Sequence, residues 1–320
     1  MHNIMSFISK WGIVLTIIFL TILFGTMMPS TFLTVSNMTT ILRSISIVTV
    51  IAIGVTLSLT VNGFDLSVGS TATFSAALVM TMFIWNGLDT FVSMAIALVG
   101  VMLVAIVNTT LIVKFKVPDT LATLASMFVF QGVAMTYSGG GSVTENMIRL
   151  NGVQTTGKVP ALFKQFGQAP WIIIIMLVIV ISVHIFLSYT KHGRYLYTVG
   201  GNIEAARLSG IAVNKYRALA YFLSTFFAGF GGLLIAARVG SAQINAGTGY
   251  LMPSVAAAYI GFSFAGLGKA NAIGTLAGAL LIGLLENGLV MLSVPYYSLD
   301  IVKGVVLAVA LASTYFRKKH

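Results

Sequence analysis

Acidic residues are scarce in this chain, in which only seven Asp and Glu occur among 320 residues. Charged residues of both signs make up 8% of the chain, whereas hydrophobic residues make up 58%. A soluble domain carries about 25% charged residues. The charged residues of this chain are too few to hydrate the surface of a soluble globule of this length. The composition therefore predicts a polytopic membrane protein embedded in a lipid bilayer.

Cysteine is absent, which excludes disulfides and thiolate metal sites. The phosphate-binding pattern G-x-x-x-x-G-K-[ST] is also absent, and no His and Glu residues have metal-ligand spacing. Since no nucleophile–base pair is recognisable either, we expect no catalytic site, no metal and no cofactor bound by this chain. The net charge of +11 comes without an aromatic–basic patch, so nucleic acid is not an expected partner.

Continuous apolar runs of about 20 residues predict transmembrane α-helices, because that length crosses about 30 Å of hydrocarbon. The runs do not alternate, which argues against an outer-membrane barrel. We expect an all-α polytopic protein with a single transmembrane domain, 1–320, and about ten transmembrane helices. Their expected positions are 11–28, 41–61, 69–86, 91–113, 119–137, 170–190, 216–237, 251–266, 271–291 and 298–315.

The placement of Lys and Arg predicts the orientation, since these residues favour the cytoplasmic side of a membrane. Most of the eighteen lie on one side when both termini share that side, so we expect cytoplasmic N- and C-termini. The longest connection, 138–169, then lies outside. It is either a passive connector or a docking surface for an external partner.

The two halves of the chain carry a faint repeat. Asn108-Thr-Thr-Leu111 followed by Val117-Pro118 resembles Asn287-Gly-Leu289 followed by Val294-Pro295. Each stretch links the fourth and fifth predicted spans of its half. Five spans is an odd number, so we expect two inverted five-helix repeats, a plan common in transporters. Their bounds are about 1–160 and 170–320.

Residues 62–70 interrupt two apolar runs with glycine, serine and an acid, Asp65. Irregular backbone near the membrane is tolerated only where protein or a water-filled cavity covers it. Asp65 therefore caps the following helix, lines a translocation path, or does both. The candidates for the path are Asn62, Gly63, Phe64, Asp65, Ser67 and Ser70, together with Tyr250.

Two opposite charges lie inside predicted spans, where each is costly unless it is paired. Glu286 lies in the ninth span and Lys303 in the tenth, each about 8–9 Å from the same end at 1.5 Å per residue. We expect an intramembrane ion pair between them. Exposure of Glu286 to the substrate path is the alternative.

A polar segment, 191–215, separates the sixth and seventh predicted spans and lies on the predicted cytoplasmic side. Within it, Asn202 is placed to cap a short helix, Glu204 lies in the first turn, and Gly210 is placed to end it. A short capped helix at a membrane surface is suited to contact with a soluble partner. The segment is accordingly a candidate coupling loop, and its helix comprises Asn202, Ile203, Glu204, Ala205, Ala206, Arg207, Leu208, Ser209 and Gly210.

Four stretches resemble the ribose-type permease subunits of bacterial ATP-binding-cassette sugar importers, over nearly the whole chain. They are Gly63–Ser70, Gly200–Ile211, Ala237–Gln243 with Gly247–Tyr250, and Asn287–Leu289 through Ile301–Gly304. The resemblance implies two permease copies, as a homodimer or with a close paralogue, in the bacterial inner membrane. It also implies an ATPase dimer that uses ATP and Mg²⁺, and an extracytoplasmic solute-binding protein. Residues 202–210 would then be the coupling helix that enters a cleft on the ATPase.

The expected function is therefore that of a permease subunit for a sugar or sugar-like solute, working by alternating access. Departures at Leu251-Met252-Pro253 and Gly261–Gly268 leave the sugar open. An ion-coupled secondary transporter is the alternative, with Asp65 and Glu286 as ion sites. A membrane-embedded enzyme is disfavoured, because no acid–base or metal constellation is present.

Overall fold

The computed structural model describes residues 2–149, 151–262, 264, 268–295, 298–306 and 308, and it describes side chains from residue 11 onward. The described chain is helical throughout its regular structure, without a β-strand. A π-helical turn, Thr110–Lys114, continues α4, and residues 299–306 are also helical. The α-helices are α1 (His2–Met27), α2 (Val35–Thr60), α3 (Val68–Ile84), α4 (Thr90–Thr109), α5 (Asp119–Tyr137), α6 (Ala161–Phe166), α7 (Trp171–Tyr189), α8 (Lys191–Gly201), α9 (Ile203–Leu208), α10 (Val213–Val239), α11 (Thr248–Phe262) and α12 (Ala272–Met291).

Within the described residues, six helices are long and apolar enough to cross a membrane, namely α2, α4 with its π turn, α5, α7, α10 and α12. Two shorter apolar helices are the Trp11–Met27 part of α1 and α3. The all-α membrane class expected from the composition is therefore confirmed. The eighth predicted span corresponds to α11 and the tenth to residues 299–306. The C-terminal parts of these two predicted spans include residues 263, 265, 266, 307 and 309–315, which the structure does not describe.

Helix α10 lies at the centre of the protein and packs closely against its neighbours at glycine residues. A Cβ added to Gly232 would lie 2.2 Å from the carbonyl oxygen of Ala72 on α3. One added to Gly231 would lie 2.3 Å from Ile51 on α2. No larger residue fits at these positions without separating the helices, and small residues are the usual means of close packing between membrane helices.

The helix contacts follow a reciprocal pattern. Helix α2 packs against α10, α11 and α12, while α10 packs against α2, α3 and α4. In addition, α3 packs against α4, and α11 packs against α12. Each of the two central helices therefore contacts the other and also the pair of helices that follows the other in the chain.

Two connections fold back into the protein instead of staying at its surface. Residues 61–67 run from the end of α2 to the start of α3, where Asp65 meets Ser224. Ser224 lies eleven residues into α10, about 16 Å from the start of that helix. Residues 240–247 return in the same manner, because the Gly247 amide donates to Thr73 of α3 at 2.9 Å. Both α3 and α11 begin within the interior as a result.

Candidate functional site

A buried polar network surrounds Asp65, which is fully buried. Its Oδ1 accepts hydrogen bonds from the Ser67 amide at 2.9 Å and the Ser67 hydroxyl at 2.6 Å. Its Oδ2 accepts one from the Ser224 hydroxyl at 2.7 Å, and Asn108 of α4 donates to Ser67 at 2.9 Å. The carboxylate thus caps the turn that opens α3 and joins that turn to α10 and α4.

Thr123 of α5 fixes the same connection from the other side. Its hydroxyl donates to the Phe64 carbonyl at 3.1 Å and accepts from the Leu66 amide at 3.2 Å. The Phe64 ring lies edge-on to Tyr259 of α11, with the centroids 5.9 Å apart. Residues 61–67 are therefore held by four helices, and this explains how an irregular segment persists in the interior.

The predicted path residues occupy different environments in this conformation. Gly63, Asp65, Ser67 and Ser70 are buried, Phe64 and Tyr250 are half-buried, and Asn62 is exposed with a left-handed φ of 57°. The structure brings Asn62 through Ser70 together at one connection. Tyr250 belongs instead to the start of α11.

A second polar cluster, missed at the sequence level, lies where α5 and α10 begin. Asp119 accepts a hydrogen bond from Arg217 at 2.5 Å and another from the Tyr221 hydroxyl at 2.5 Å. A Cβ added to Gly63 would lie 2.5 Å from the Tyr221 hydroxyl and 2.7 Å from Asp119 Oδ2. The backbone of the 61–67 connection is thus packed directly against Tyr221 and Asp119. The scarcity of acids was the signal that could have drawn attention to Asp119.

Lys303 and Glu286 lie together, with Nζ 2.9 Å from Oε1. Asp300 lies 3.5 Å from the same ammonium group. The next residue of α12, Asn287, exchanges two amide hydrogen bonds with Asn37 of α2, each 3.0 Å long. These contacts tie the end of α12 to the start of α2 and to residues 299–306. Among the described residues, no group of three His, Asp or Glu side chains gathers to hold a metal ion.

The polar segment folds as two helices, α8 and α9, of which only α9 was predicted. Asn202 caps α9 by accepting from the Ala205 amide at 3.0 Å. Gly210 has φ of 75° and ends the helix, with the Ile211 amide donating to the Ala206 carbonyl at 3.0 Å. This is a Schellman C-cap, which requires a residue that adopts positive φ easily. The local helix therefore begins and ends where its sequence predicts.

Helix α9 presents a small exposed surface. Leu208 is 89% exposed, and Ile203 is exposed as well. Arg207 pairs with Glu204 one turn away at 2.9 Å, and both side chains point into solvent. Ala206 is fully buried and anchors the opposite face. Helix α9 thus leaves the apolar side chains of Ile203 and Leu208 uncovered by the described residues.

Helix α8 attaches this surface to both halves of the chain. The Tyr197 hydroxyl donates to the Ala270 carbonyl at 2.6 Å, and burial raises the pKa of Tyr197 to about 12, so it remains a donor near neutral pH. Gly200 packs against the end of α2 so closely that a Cβ would lie 2.0 Å from the Thr60 carbonyl oxygen. His192 contacts the Tyr216 hydroxyl of α10 at 3.0 Å.

A family model described as the permease component of branched-chain amino acid transport systems matches residues 37–311. The chain belongs to this permease family. The permease is 35% identical to the ribose import permease RbsC of Escherichia coli strain K12, over 90% of this chain and 88% of that protein. It is 32% identical to RbsC of Bacillus subtilis strain 168, over 95% and 92% of the two chains.

The galactose/methyl galactoside import permease MglC of Escherichia coli strain K12 is 30% identical to the permease, over 99% of this chain and 98% of that relative. No solved structure matches the permease significantly. The resemblance inferred from the four sequence stretches is confirmed, and the permease is a membrane-embedded transport component. The relatives are named as permeases and not as enzymes.

The described residues of the connection from 138 to 169 of the permease, 138–149 and 151–169, lie at the end of the bundle opposite α9 and are held by several contacts. Val143 pairs with Ala242, and Ile148 pairs with Gln154. Glu145 accepts hydrogen bonds from Lys164 at 2.9 Å and from the Val159 amide at 3.0 Å, and the hydrogen bond from Lys164 lowers the pKa of Glu145. We call this end the α6 end, and the other, which carries 191–217, the α9 end.

Proposed function

We propose that the permease is the membrane subunit of an ATP-driven importer for a sugar or sugar-like solute. The observation that carries this proposal is the likeness to sugar import permeases over nearly the whole chain, up to 99% of it. The family description names branched-chain amino acids, but the relatives that match over full length are named for ribose and galactose. A sugar is therefore the favoured cargo.

The partners follow from that assignment. An ATPase dimer that uses ATP and Mg²⁺ binds at the α9 end, which lies in the cytoplasm together with both chain termini. A second permease copy completes the path through the bacterial inner membrane. A solute-binding protein delivers cargo to the α6 end. The exposure of Leu208 and the capped geometry of α9 support a docking role for residues 202–210.

The permease forms one transmembrane domain of two inverted five-helix repeats. The reciprocal packing supports this, because α2 contacts α11 and α12 as α10 contacts α3 and α4. Under the repeat, α2 corresponds to α10, α3 to α11, and α4 to α12. Short helices that begin in the interior, α3 and α11, then occupy equivalent positions, which is a frequent property of transporter repeats.

Motion passes from α9 to the bundle through packed and ion-paired contacts. Ala206 anchors α9 in the core, and α10 begins five residues after α9 ends. Arg217 then links α10 to Asp119 at the start of α5. Closure of the ATPase dimer displaces α9, and the displacement reaches α5 and the 61–67 connection together. Opening of that connection exposes the buried residues Gly63, Asp65, Ser67 and Ser70 to the path in the inward-facing state.

Uptake by proteoliposomes tests the proposal against ion coupling. The permease is reconstituted with its ATPase and binding protein, and uptake of ribose, allose and galactose is followed with ATP inside. The proposal predicts uptake that requires the ATPase and persists when an uncoupler dissipates the ion gradients. Uptake that needs no ATPase and stops with the uncoupler would instead assign Asp65 or Glu286 to an ion site.

A further inference from the structure

A pair of amide side chains lies on an accessible surface of the bundle, at a depth that corresponds to the interior of the membrane. Gln131 of α5 donates a hydrogen bond to Asn245 of the 240–247 connection. Gln131 lies six residues, about 9 Å, from the end of α5. Asn245 is exposed and Gln131 is partly exposed. Amides that face hydrocarbon at this depth are unfavourable, and polar residues in spans normally face protein or water.

The backbone at Asn245 also points to a wet environment. Gly247 is hydrogen-bonded to Thr73, and Thr73 lies eleven residues, about 16 Å, from the end of α3. The neighbouring residues Gln243, Asn245, Thr248 and Gly249 are nevertheless exposed. Non-helical backbone at membrane depth is tolerated only inside protein or beside a water-filled cavity. A single chain therefore leaves this surface without the protein or the water-filled cavity that has to cover it.

Helix α5 supplies an independent indication. The most apolar eighteen residues of α5 and of α7 are buried to the same small extent. However, the hydropathy of α5 is less than half that of α7. A helix that exposes most of its surface to lipid has to be apolar all round. The exposed face of α7 suits lipid, whereas that of α5 suits water or a second protein surface.

We propose that Gln131, Asn245 and Thr248 line the translocation path, which the same surface of a second copy closes from the opposite side. The proposal rests on the proposed function and names the side chains that meet the solute. The exposed groups around the pair are uncharged amides and a hydroxyl, which exchange hydrogen bonds with a neutral polyhydroxylated solute at no cost in buried charge. Asn245 has a left-handed φ of 61°, which asparagine tolerates.

The absence of cysteine makes a direct test possible, because every introduced thiol is the only one in the permease chain. Gln131→Cys and Asn245→Cys are prepared in the full complex in proteoliposomes and treated with a charged methanethiosulfonate. Val178→Cys on α7, which is 56% exposed, is the lipid-facing control, and Val153→Cys in the 138–169 connection is the water-facing control. These reagents attack the thiolate, which forms in water and not in hydrocarbon.

We expect the thiols at 131 and 245 to react at least about tenfold faster than that at 178, because only a hydrated thiol ionises. Labelling of either should also stop ATP-driven uptake of a ribose, allose and galactose mixture. The thiol at 153 controls for the reaction rate only, because it lies at the α6 end, where the proposed binding protein docks. Reaction at the rate of the 178 control, or full labelling with uptake intact, would overturn the assignment. If the parent protein without introduced cysteine does not transport these sugars with its ATPase and ATP but the 131 and 245 thiols are reactive, the proposed function fails and the wet surface stands.

Discussion

Arg217 and Asp119 form an ion pair, 2.5 Å long, that joins the fifth residue of α10 to the first residue of α5. Only 22% of the arginine side chain and 16% of the aspartate side chain are exposed. Tyr221 donates to the second carboxylate oxygen. The pair fastens two helices that lie on either side of the 61–67 connection, close to the segment that carries α9.

Asp119→Asn should destabilise the permease, because Arg217 would keep its charge without a full partner. Removing one member of a buried pair costs about 3–5 kcal/mol, and partial exposure reduces this to about 1–3 kcal/mol here. The thermal unfolding midpoint in detergent measures the loss. Glu204→Gln is the matched control, since its pair with Arg207 is exposed and contributes below about 0.5 kcal/mol. Equal losses in the two variants would contradict a structural role for Asp119.

Gly63→Ala should also disturb this cluster. The added Cβ would meet the Tyr221 hydroxyl at 2.5 Å and Asp119 at 2.7 Å, so the connection has to move away. Overpacking of this kind costs about 1–3 kcal/mol. Gly201→Ala is the control, because a Cβ there meets nothing within 4 Å. We expect a lower unfolding midpoint and slower uptake for the first variant only, and identical behaviour of the two would refute the close approach.

The local stability of the 138–169 connection should fall at low pH. Because Lys164 lowers the pKa of Glu145, the stabilisation by Glu145 is fully present above the unfolded pKa of about 4.3. It is lost as the pH falls through the folded pKa, which lies below that value. Hydrogen exchange of residues 143–168 should accelerate by roughly two- to fivefold beyond the intrinsic pH effect, in line with an exposed pair. In Glu145→Gln this additional pH dependence should vanish, and its persistence would assign it to another group.

Changes on the exposed face of α9 should uncouple transport without unfolding the permease. Leu208→Asp and Arg207→Glu both alter side chains that point into solvent. A contact residue at the centre of an interface is worth about 2 kcal/mol or more, so ATPase binding should weaken at least about tenfold. Leu162→Asp on α6, another exposed leucine, is the control at the opposite end. Full ATPase binding by both α9 variants would exclude this contact surface.

Local signals in the sequence were sufficient for α9, since Asn202 and Gly210 act through their own backbone neighbours. The Glu286–Lys303 contact could be anticipated from the depth of the two residues in apolar runs. Helix α8 could not be predicted from the sequence, because glycine is unfavourable within a helix and Gly193 and Gly200 both lie in it. The structure shows why these glycines are there: each fits against a backbone carbonyl that leaves no room for a Cβ.

Contacts between distant residues lay beyond sequence reasoning. Asp119 and Arg217 are 98 positions apart, and neither is marked by a local pattern. Gln131 and Asn245 meet only because the 240–247 connection re-enters the bundle before α11 begins. The Asp65 network likewise depends on Ser224, a residue indistinguishable from other helix serines in the sequence.

Crosslinking from Leu208 detects the proposed contact between α9 and an ATPase. A photoreactive amino acid is placed at position 208 of the permease in native membranes, with position 162 as the control, and adducts are identified by mass spectrometry. We expect an ATPase with a phosphate-binding G-x-x-x-x-G-K-[ST] sequence to be captured from 208 and not from 162, and nucleotide to change the yield. Equal capture from both positions, or adducts from 208 that contain no ATPase, would contradict the proposed contact.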